Sequence, residues 1–250
     1  MTDSRVGRRK KSGLAILTFF VFTTGASAIT LGQIALIDDH YFNRDKGNNL
    51  DTSISELNDQ IKENETAPLY WRRCRSLMRR GEKRDKKSDK LADYEAARAD
   101  CEKSVALEPS SADAHFWYGV VMGRWGETKG ILKALFLIKP IRQQMNETLK
   151  LDPKHGGAHR VLGEILWQVP GFAGGDKKRA LAEFEAAVRL SPNHSANYEP
   201  LTEAYLYYGR KNDAAKTLKA LAEIKDADDP AEFLNDLADG QKLMHKLGPK

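Results

Sequence analysis

The sequence predicts an all-α protein: a solenoid of helix-turn-helix pairs with insertions and a capping helix at each end. Three observations carry this expectation. Ala, Leu, Lys and Glu are abundant while only nine prolines occur, a mixture that favours helices. Self-similarity recurs at about 34 residues, the spacing of paired helices stacked in an array. No stretch alternates polar and apolar residues for long enough to build a sheet.

The first element is an address. Arg8-Arg9-Lys10-Lys11 precedes an apolar core from Leu14 to Thr24, and Ala26-Ser27-Ala28 follows in the pattern of a signal-peptidase site. The paired arginines lack a hydrophobic pair just downstream, which points to general secretion. Residues 1–28 therefore make a signal peptide. The competing assignment is an uncleaved anchor over 14–37, a charge-free run of 24 residues, long enough for a bilayer core of about 30 Å. With positive charge held on the cytoplasmic side, either assignment places the rest outside the cytoplasm. The location expected is periplasmic or secreted, with a membrane-anchored form, its repeats also outside, as the alternative.

Charge agrees with this division. Five bases and one acid give residues 1–28 a net charge of +4, which leaves the remainder at +5 − 4 = +1. The basic character is thus concentrated in the targeting segment, and nucleic acid is not an expected partner.

The remainder divides into 29–66, a linker and capping helix; 67–228, four helix pairs; and 229–250, a C-terminal capping helix and tail. The first helix of the array spans Asp51 to Thr66, capped by Asp51, Thr52 or Ser53, with Ile54, Leu57 and Ile61 inward. In the first pair Trp71, Cys74 and Met78 face Ala97 and Cys101, with Arg75 at the position that wants a small residue. A lysine-rich insertion from Gly81 to Lys90 separates the two helices. The second pair carries Tyr118-Gly119, Met122 and Gly126, then Met145 and Pro153. The third has Leu162-Gly163, then Ala180, Phe184, Ala187 and Pro192, with a long loop ending in Gly174-Gly175-Asp176. The fourth has Tyr198, Leu201 and Tyr205, a break at Gly209, then Ala214, Leu218 and Leu221. Gly119 and Gly163 are expected where helices cross closely. Ala231 to Leu247 closes the array, with Phe233, Leu234, Leu237 and Leu243 inward.

Lys129 to Pro140 is surplus to the second pair. Ile131, Leu135 and Ile138 recur at helical spacing, and Leu132, Phe136 and Leu137 widen the apolar face. Pro140 is expected to kink or end it and so make a separate lip. That lip either covers core left open by the long loops or presents an apolar binding surface.

These features together resemble tetratricopeptide-repeat (TPR) proteins. The run Ala114-His-Phe-Trp-Tyr-Gly119, the segment Lys129-Gly-Ile-Leu-Lys-Ala-Leu135 and the loop ending Gly174-Gly175-Asp176 resemble one branch of them. This branch comprises the T-component proteins of tripartite ATP-independent periplasmic (TRAP) transporters and a regulator-of-microtubule-dynamics group in eukaryotes. The resemblance implies a TPR-like shell over about residues 67–225, with an apolar cleft. The T-component type resembles a lipoprotein, but no cysteine follows Ala26 to Ala28 here.

No motif supports catalysis, and no cofactor or metal is expected. His155 and His159 stand four apart without a completing acidic ligand, and Gly171 to Asp176 lacks the ending of a phosphate loop. Cys74 and Cys101 face each other either as a disulfide or as two small buried side chains. The groove-lining positions of each first helix can be read from the register. They are Arg72, Ser76, Arg79 and Arg80; Phe116, Val120 and Arg124; Arg160, Glu164, Trp167 and Gln168; and Glu199, Glu203, Leu206 and Tyr207. Such a groove runs from basic through aromatic to acidic and suits an extended peptide or an amphipathic helix. The function expected is an exported adaptor that binds a protein or peptide. The alternative is a periplasmic carrier or TRAP accessory subunit whose cleft takes an apolar small ligand. Membrane contact is expected only if the N-terminal segment stays uncleaved. The ten bases against three acids in Arg72 to Lys90 read as a solvated loop or as a contact for anionic head groups or an acidic partner.

Overall fold

The computed structural model describes residues 29–247; residues 1–28, expected to be a signal peptide, lie outside them. Eleven α-helices occur among the described residues: α1 (Leu31–Phe42), α2 (Asn49–Glu63), α3 (Ala67–Glu82), α4 (Lys87–Leu107), α5 (Ala112–Lys129), α6 (Ile131–Leu151), α7 (Gly156–Gln168), α8 (Lys177–Leu190), α9 (Tyr198–Tyr207), α10 (Lys211–Ala222) and α11 (Pro230–Leu247). Short 3₁₀ turns at Gly171–Ala173 and Ser195–Asn197 precede α8 and α9. The pairs α3–α4, α5–α6, α7–α8 and α9–α10 stack as a helical solenoid, with α1 and α2 before them and α11 after.

Local sequence starts these helices. Thr30 and Gln33 form a capping box at α1, the Gln33 amide donating to Thr30 Oγ1 and the Thr30 amide to Gln33 Oε1. Ser111 caps α5, His155 Nδ1 accepts the Ala158 amide at α7, and Asp176 accepts the amides of Lys178 and Arg179 at α8. The Gly-Gly before Asp176 is required by geometry. Gly174 has φ +93°, and a Cβ on Gly175 would overlap the Val169 carbonyl.

In the second and third pairs one small residue meets one large one. Gly119 lies against Met145 and Gly163 against Phe184. In the first pair Cys74 faces Cys101 in a disulfide. Cys101, Met145 and Phe184 each stand eight residues before Pro109, Pro153 and Pro192, so Cys74 is the counterpart of the two glycines. The expected register of the first pair was therefore one residue late: Cys74, not Arg75, holds the small-residue position. A cross-link closing 27 residues contributes about 3–4 kcal/mol on a chain-entropy basis.

Several boundaries differ from expectation. α2 starts at Asn49, not Asp51, and no side chain caps it. Residues 31–42, expected within a linker, form a packed helix. Its Ile37 is buried against Leu57, Ile61, Leu69 and Tyr70. No helix among the described residues is long and apolar enough to cross a membrane. The expected insertion from Gly81 to Lys90 is mostly helix. Gly81 still belongs to α3, where Tyr94 crosses so closely that a Cβ would clash. In α11 Leu243 is buried but Leu234 is exposed, because that helix rests on α10 through Gly240, whose missing Cβ admits Leu221.

The segment Lys129 to Pro140 is not a separate lip. The chain breaks at Gly130, with φ +126°, and α6 then runs unbroken through Pro140. Proline removes the donor for the Phe136 carbonyl. Phe136 is 79% exposed, and the helix continues through this position. The extra turns leave Ile131, Leu132, Leu135 and Phe136 exposed and do not fold back as a cover.

Replacing Gly163 by Leu should overpack the crossing with the buried Phe184 ring and lower stability by about 1–3 kcal/mol. Gly119→Leu should do the same against Met145, to the smaller extent a flexible side chain allows. Melting temperatures of both variants check this; unchanged values would place the crossings elsewhere.

Candidate partner-binding cleft

The first helices of the pairs face inward, and the structure shows how the expected groove residues are disposed. With the register corrected, the first pair presents Trp71, Arg75, Met78 and Arg79, not Arg72, Ser76 and Arg80. Arg72 binds Asp38 with its Nε 3.0 and 3.1 Å from the two carboxylate oxygens. Ser76 is fully buried beside Ser53, and Arg80 reaches Asp93 at 2.6 Å.

The basic end of the groove is covered by the chain itself. Arg75 donates to Asp38 at 2.7 Å and lies 3.5 Å over the Tyr41 ring. Arg79 donates to Glu232 at 2.6 Å and to Glu82 at 3.0 Å, and Arg44 meets Asp229 at 2.6 Å. The end of α1 and the start of α11 thus close over the concave face as a clasp. The arginines from Arg72 to Arg80 are accordingly on a helix and hold internal partners, while residues 83–89 that follow are exposed. Beside the clasp lies a pocket of about 300 Å³, itself open to solvent and bordered by Tyr41, Trp71, Arg75, Phe116, Trp117, Arg160, His194 and Glu232.

Burial sets the titration of this region. Burial beside Arg160 pushes His194 down to about 4. Burial tends to raise Glu232, but Arg79 and Arg160 outweigh it and hold the carboxyl below its usual range. Asp236 is raised to about 6 by burial, although Ser195 hydrogen-bonds to it, and its Oδ2 has no partner.

The centre of the groove is open. Val120 and Arg124 on α5 and Arg160 and Glu164 on α7 converge there, with the extra turns of α6 forming one wall. The cleft holds about 450 Å³. Its apolar surface comes from Ile131, Leu135, Ile138 and Ile141 on α6, Val161 and Ile165 on α7, and Val169-Pro170 beyond. Charges at its edge pair with one another: Arg160 reaches Glu164 at 2.5 Å, and Arg124 reaches Glu82 at 3.2 Å and Glu127 at 3.7 Å, while the buried Arg160 Nε has no partner.

The remaining groove residues divide between the two ends. Phe116 is buried against Trp117 and His155 at the clasp cavity. Trp167 and Tyr207 meet edge to face with ring centroids 5.2 Å apart, and Lys177 Nζ lies 3.9 Å from the Tyr207 ring centroid. Glu199 and Glu203 lie further along, where burial and the Glu203 charge raise Glu199. His155 and His159 have separate tasks, one as helix cap and the other bound to Glu183 at 2.7 Å. Sequence reasoning missed Asp38, Tyr41, Arg44, Asp229 and Glu232. No local pattern signals them, because each acts across the width of the solenoid.

Residues 36–170 match the family described as Regulator of microtubule dynamics protein 1-3. The chain belongs to this family. The match begins inside α1, so the N-terminal half of the clasp lies within the family region. The rat Regulator of microtubule dynamics protein 3 is 23% identical over 207 residues, covering 76% of this chain and 44% of that protein. The bovine Regulator of microtubule dynamics protein 1 is 27% identical over 182 residues, covering 65% and 56%. The chain therefore spans about half the length of these curated relatives. Among solved structures, a thermophilic TPR protein of Thermus thermophilus superposes with a TM-score of 0.62 at 14% identity, over 84% of this chain and 99% of that one. The Pseudomonas aeruginosa protein pilF gives 0.52 at 14% identity, over 87% and 94%. These likenesses show the TPR solenoid fold.

A testable pH effect follows from Asp236. Its folded pKa of about 6 exceeds the ordinary 3.8. Its contribution to stability is therefore full below pH 3.8 and is lost as pH rises through about 6. Asp236→Asn should stabilise the protein by about 1–3 kcal/mol at about pH 7.5 and change little at about pH 4. Denaturant unfolding at both values checks it; an equal effect at both would contradict the assignment.

Proposed function

We propose that the protein is an adaptor held outside the cytoplasm, whose central cleft binds an apolar helical or extended segment of a protein partner. One observation carries the binding reading. The family's helical pairs leave an apolar cleft of about 450 Å³ open between α5, α6 and α7, while the charged end of the same groove is occupied by the chain's own α1 and α11. Apolar anchors of a partner gain by leaving water there, and the Arg124, Glu127 and Gln168 rim offers polar contacts for orientation. No catalytic constellation enters this reading.

Location rests on the sequence. A basic run, an apolar core and Ala26-Ser27-Ala28 stand in the order that directs export. The Cys74–Cys101 pairing is in keeping with an oxidising compartment. A second reading takes the cleft as the seat of a small apolar molecule, as in a periplasmic carrier or a TRAP-type accessory subunit. Its volume favours this too, since ligand pockets commonly hold about 300–1,000 Å³.

Two measurements separate these possibilities. A photo-crosslinking side chain in place of Ile138 should join the chain to a polypeptide in the native host. Its joining only to a small apolar molecule would favour the carrier. The paired change Leu135→Ser and Ile165→Ser should weaken capture of the crosslinked polypeptide about tenfold or more, with a loss in stability held to about 1–2 kcal/mol. Unfolding of this variant would mean that the cleft is core.

Export has its own test. A reporter that is active only outside the cytoplasm, fused after Lys250, should be active. Activity confined to a cytoplasmic reporter would refute the proposed location.

A further inference from the structure

We infer that the edge of the solenoid built from the first turns of α6 and the loop after α7 docks on an anionic lipid surface. On α6, Ile131, Leu132 and Phe136 are exposed by 78%, 71% and 79%. Leu132 and Phe136 stand one turn apart and are not among the side chains that line the cleft. On the opposite lip Phe172 is 96% exposed. It sits in the Gly171–Ala173 turn, and the backbone around it is fixed. The Gly175 amide donates to the Pro170 carbonyl at 3.1 Å and the Asp176 amide to the Leu166 carbonyl at 2.9 Å. A large ring is therefore held out into solvent on ordered backbone.

Bases stand behind both apolar tips. Lys133, Lys139 and Arg142 follow on α6, where no acid occurs from Ile131 to Asn146, and Lys178 and Arg179 open α8 directly after the loop. Among the described residues none of these five has a carboxylate within the 4.0 Å that defines an ion pair. Elsewhere the arginines of α3 are all paired: Arg72, Arg73, Arg75, Arg79 and Arg80 each hold an acid. Bases without a carboxylate partner therefore stand close in sequence to both exposed apolar tips, with Lys133 Nζ 5.0 Å from the Trp125 ring.

A bilayer interface meets both features at once. Its acyl boundary takes Leu, Ile and Phe, and its anionic head groups attract the lysines and arginines alongside. The two tips come from separate segments on either side of a cleft and share no flat surface. A fluid lipid surface contacts both without a shape matched to them, whereas a rigid protein partner would need one. Leu132, Phe136 and Phe172 lie outside the cleft of the proposed function, whereas Ile131 borders both, so the test of docking rests on residues the cleft does not use.

The test uses the full chain labelled with a polarity-sensitive dye. Its native cysteines are joined to each other, so Phe136→Cys and Phe172→Cys each supply one labelling site, with Glu102→Cys on α4 as control. The probes are vesicles of phosphatidylcholine alone and of phosphatidylcholine with phosphatidylserine at roughly three to one. Labels at 136 and 172 should shift to the blue on the anionic vesicles and return in about 0.5 M salt, while the label at 102 stays in water. Lys133→Gln with Lys139→Gln should weaken the response about tenfold. A chain that pellets with the vesicles while both labels stay in water is held by its N-terminal segment alone, and overturns the inference. An equal shift on neutral vesicles overturns it as well. So does a shift that appears only when a protein partner is added.

Discussion

The second and third helix pairs of this solenoid each close on one small residue set against one large one, and the orientation of the groove depends on that constraint. Gly163 admits the Phe184 ring and Gly119 admits Met145. The close approach fixes the crossing, and the crossing fixes which residues of each first helix face the concave side. In the first pair the same place is taken by Cys74, joined to Cys101. A covalent bond there replaces packing of small on large. It also moves the groove positions by one residue, so that Arg75 and Arg79 face inward and Arg72 turns to the flank.

That displacement brings two arginines into a largely apolar interior, where unpaired charge is expensive. The chain meets the demand with segments from both ends. Asp38 on α1 serves Arg72 and Arg75, and Glu232 on α11 serves Arg79. Arg44 and Asp229 then join the two segments to each other. A solenoid usually contacts only its neighbouring repeats, but here the first and last described helices meet over the groove. The clasp occupies the part of the concave face that its charge alone would have recommended for a partner.

What is left for binding is therefore apolar. Gly130 restarts the chain, and the extra turns of α6 stand as a wall above α5 and α7. The wall's inner face completes the cleft, and its outer face, with Phe172 opposite, remains exposed. In this chain the insertion between standard helices creates much of the open surface, and the standard groove residues supply mainly its rim.

Much of this was legible in the chain. The helices, their pairing, the glycine crossings at 119 and 163 and the glycine-rich turn before Asp176 follow from local spacing, because each depends on residues within one or two turns or on the repeat itself. The fate of the charges was not legible. Whether an arginine of α3 reaches solvent depends on Asp38, 34 residues before Arg72, and on Glu232, 153 residues after Arg79. The course of α6 through Pro140 also lay beyond local reading, since whether a helix outlasts a lost backbone donor depends on its surroundings. Sequence by itself determined the repeat and its small-on-large crossings. Tertiary structure alone decided which charges are consumed inside the molecule and which apolar side chains stay in water, because burial and ion pairing are set by segments far apart in the chain.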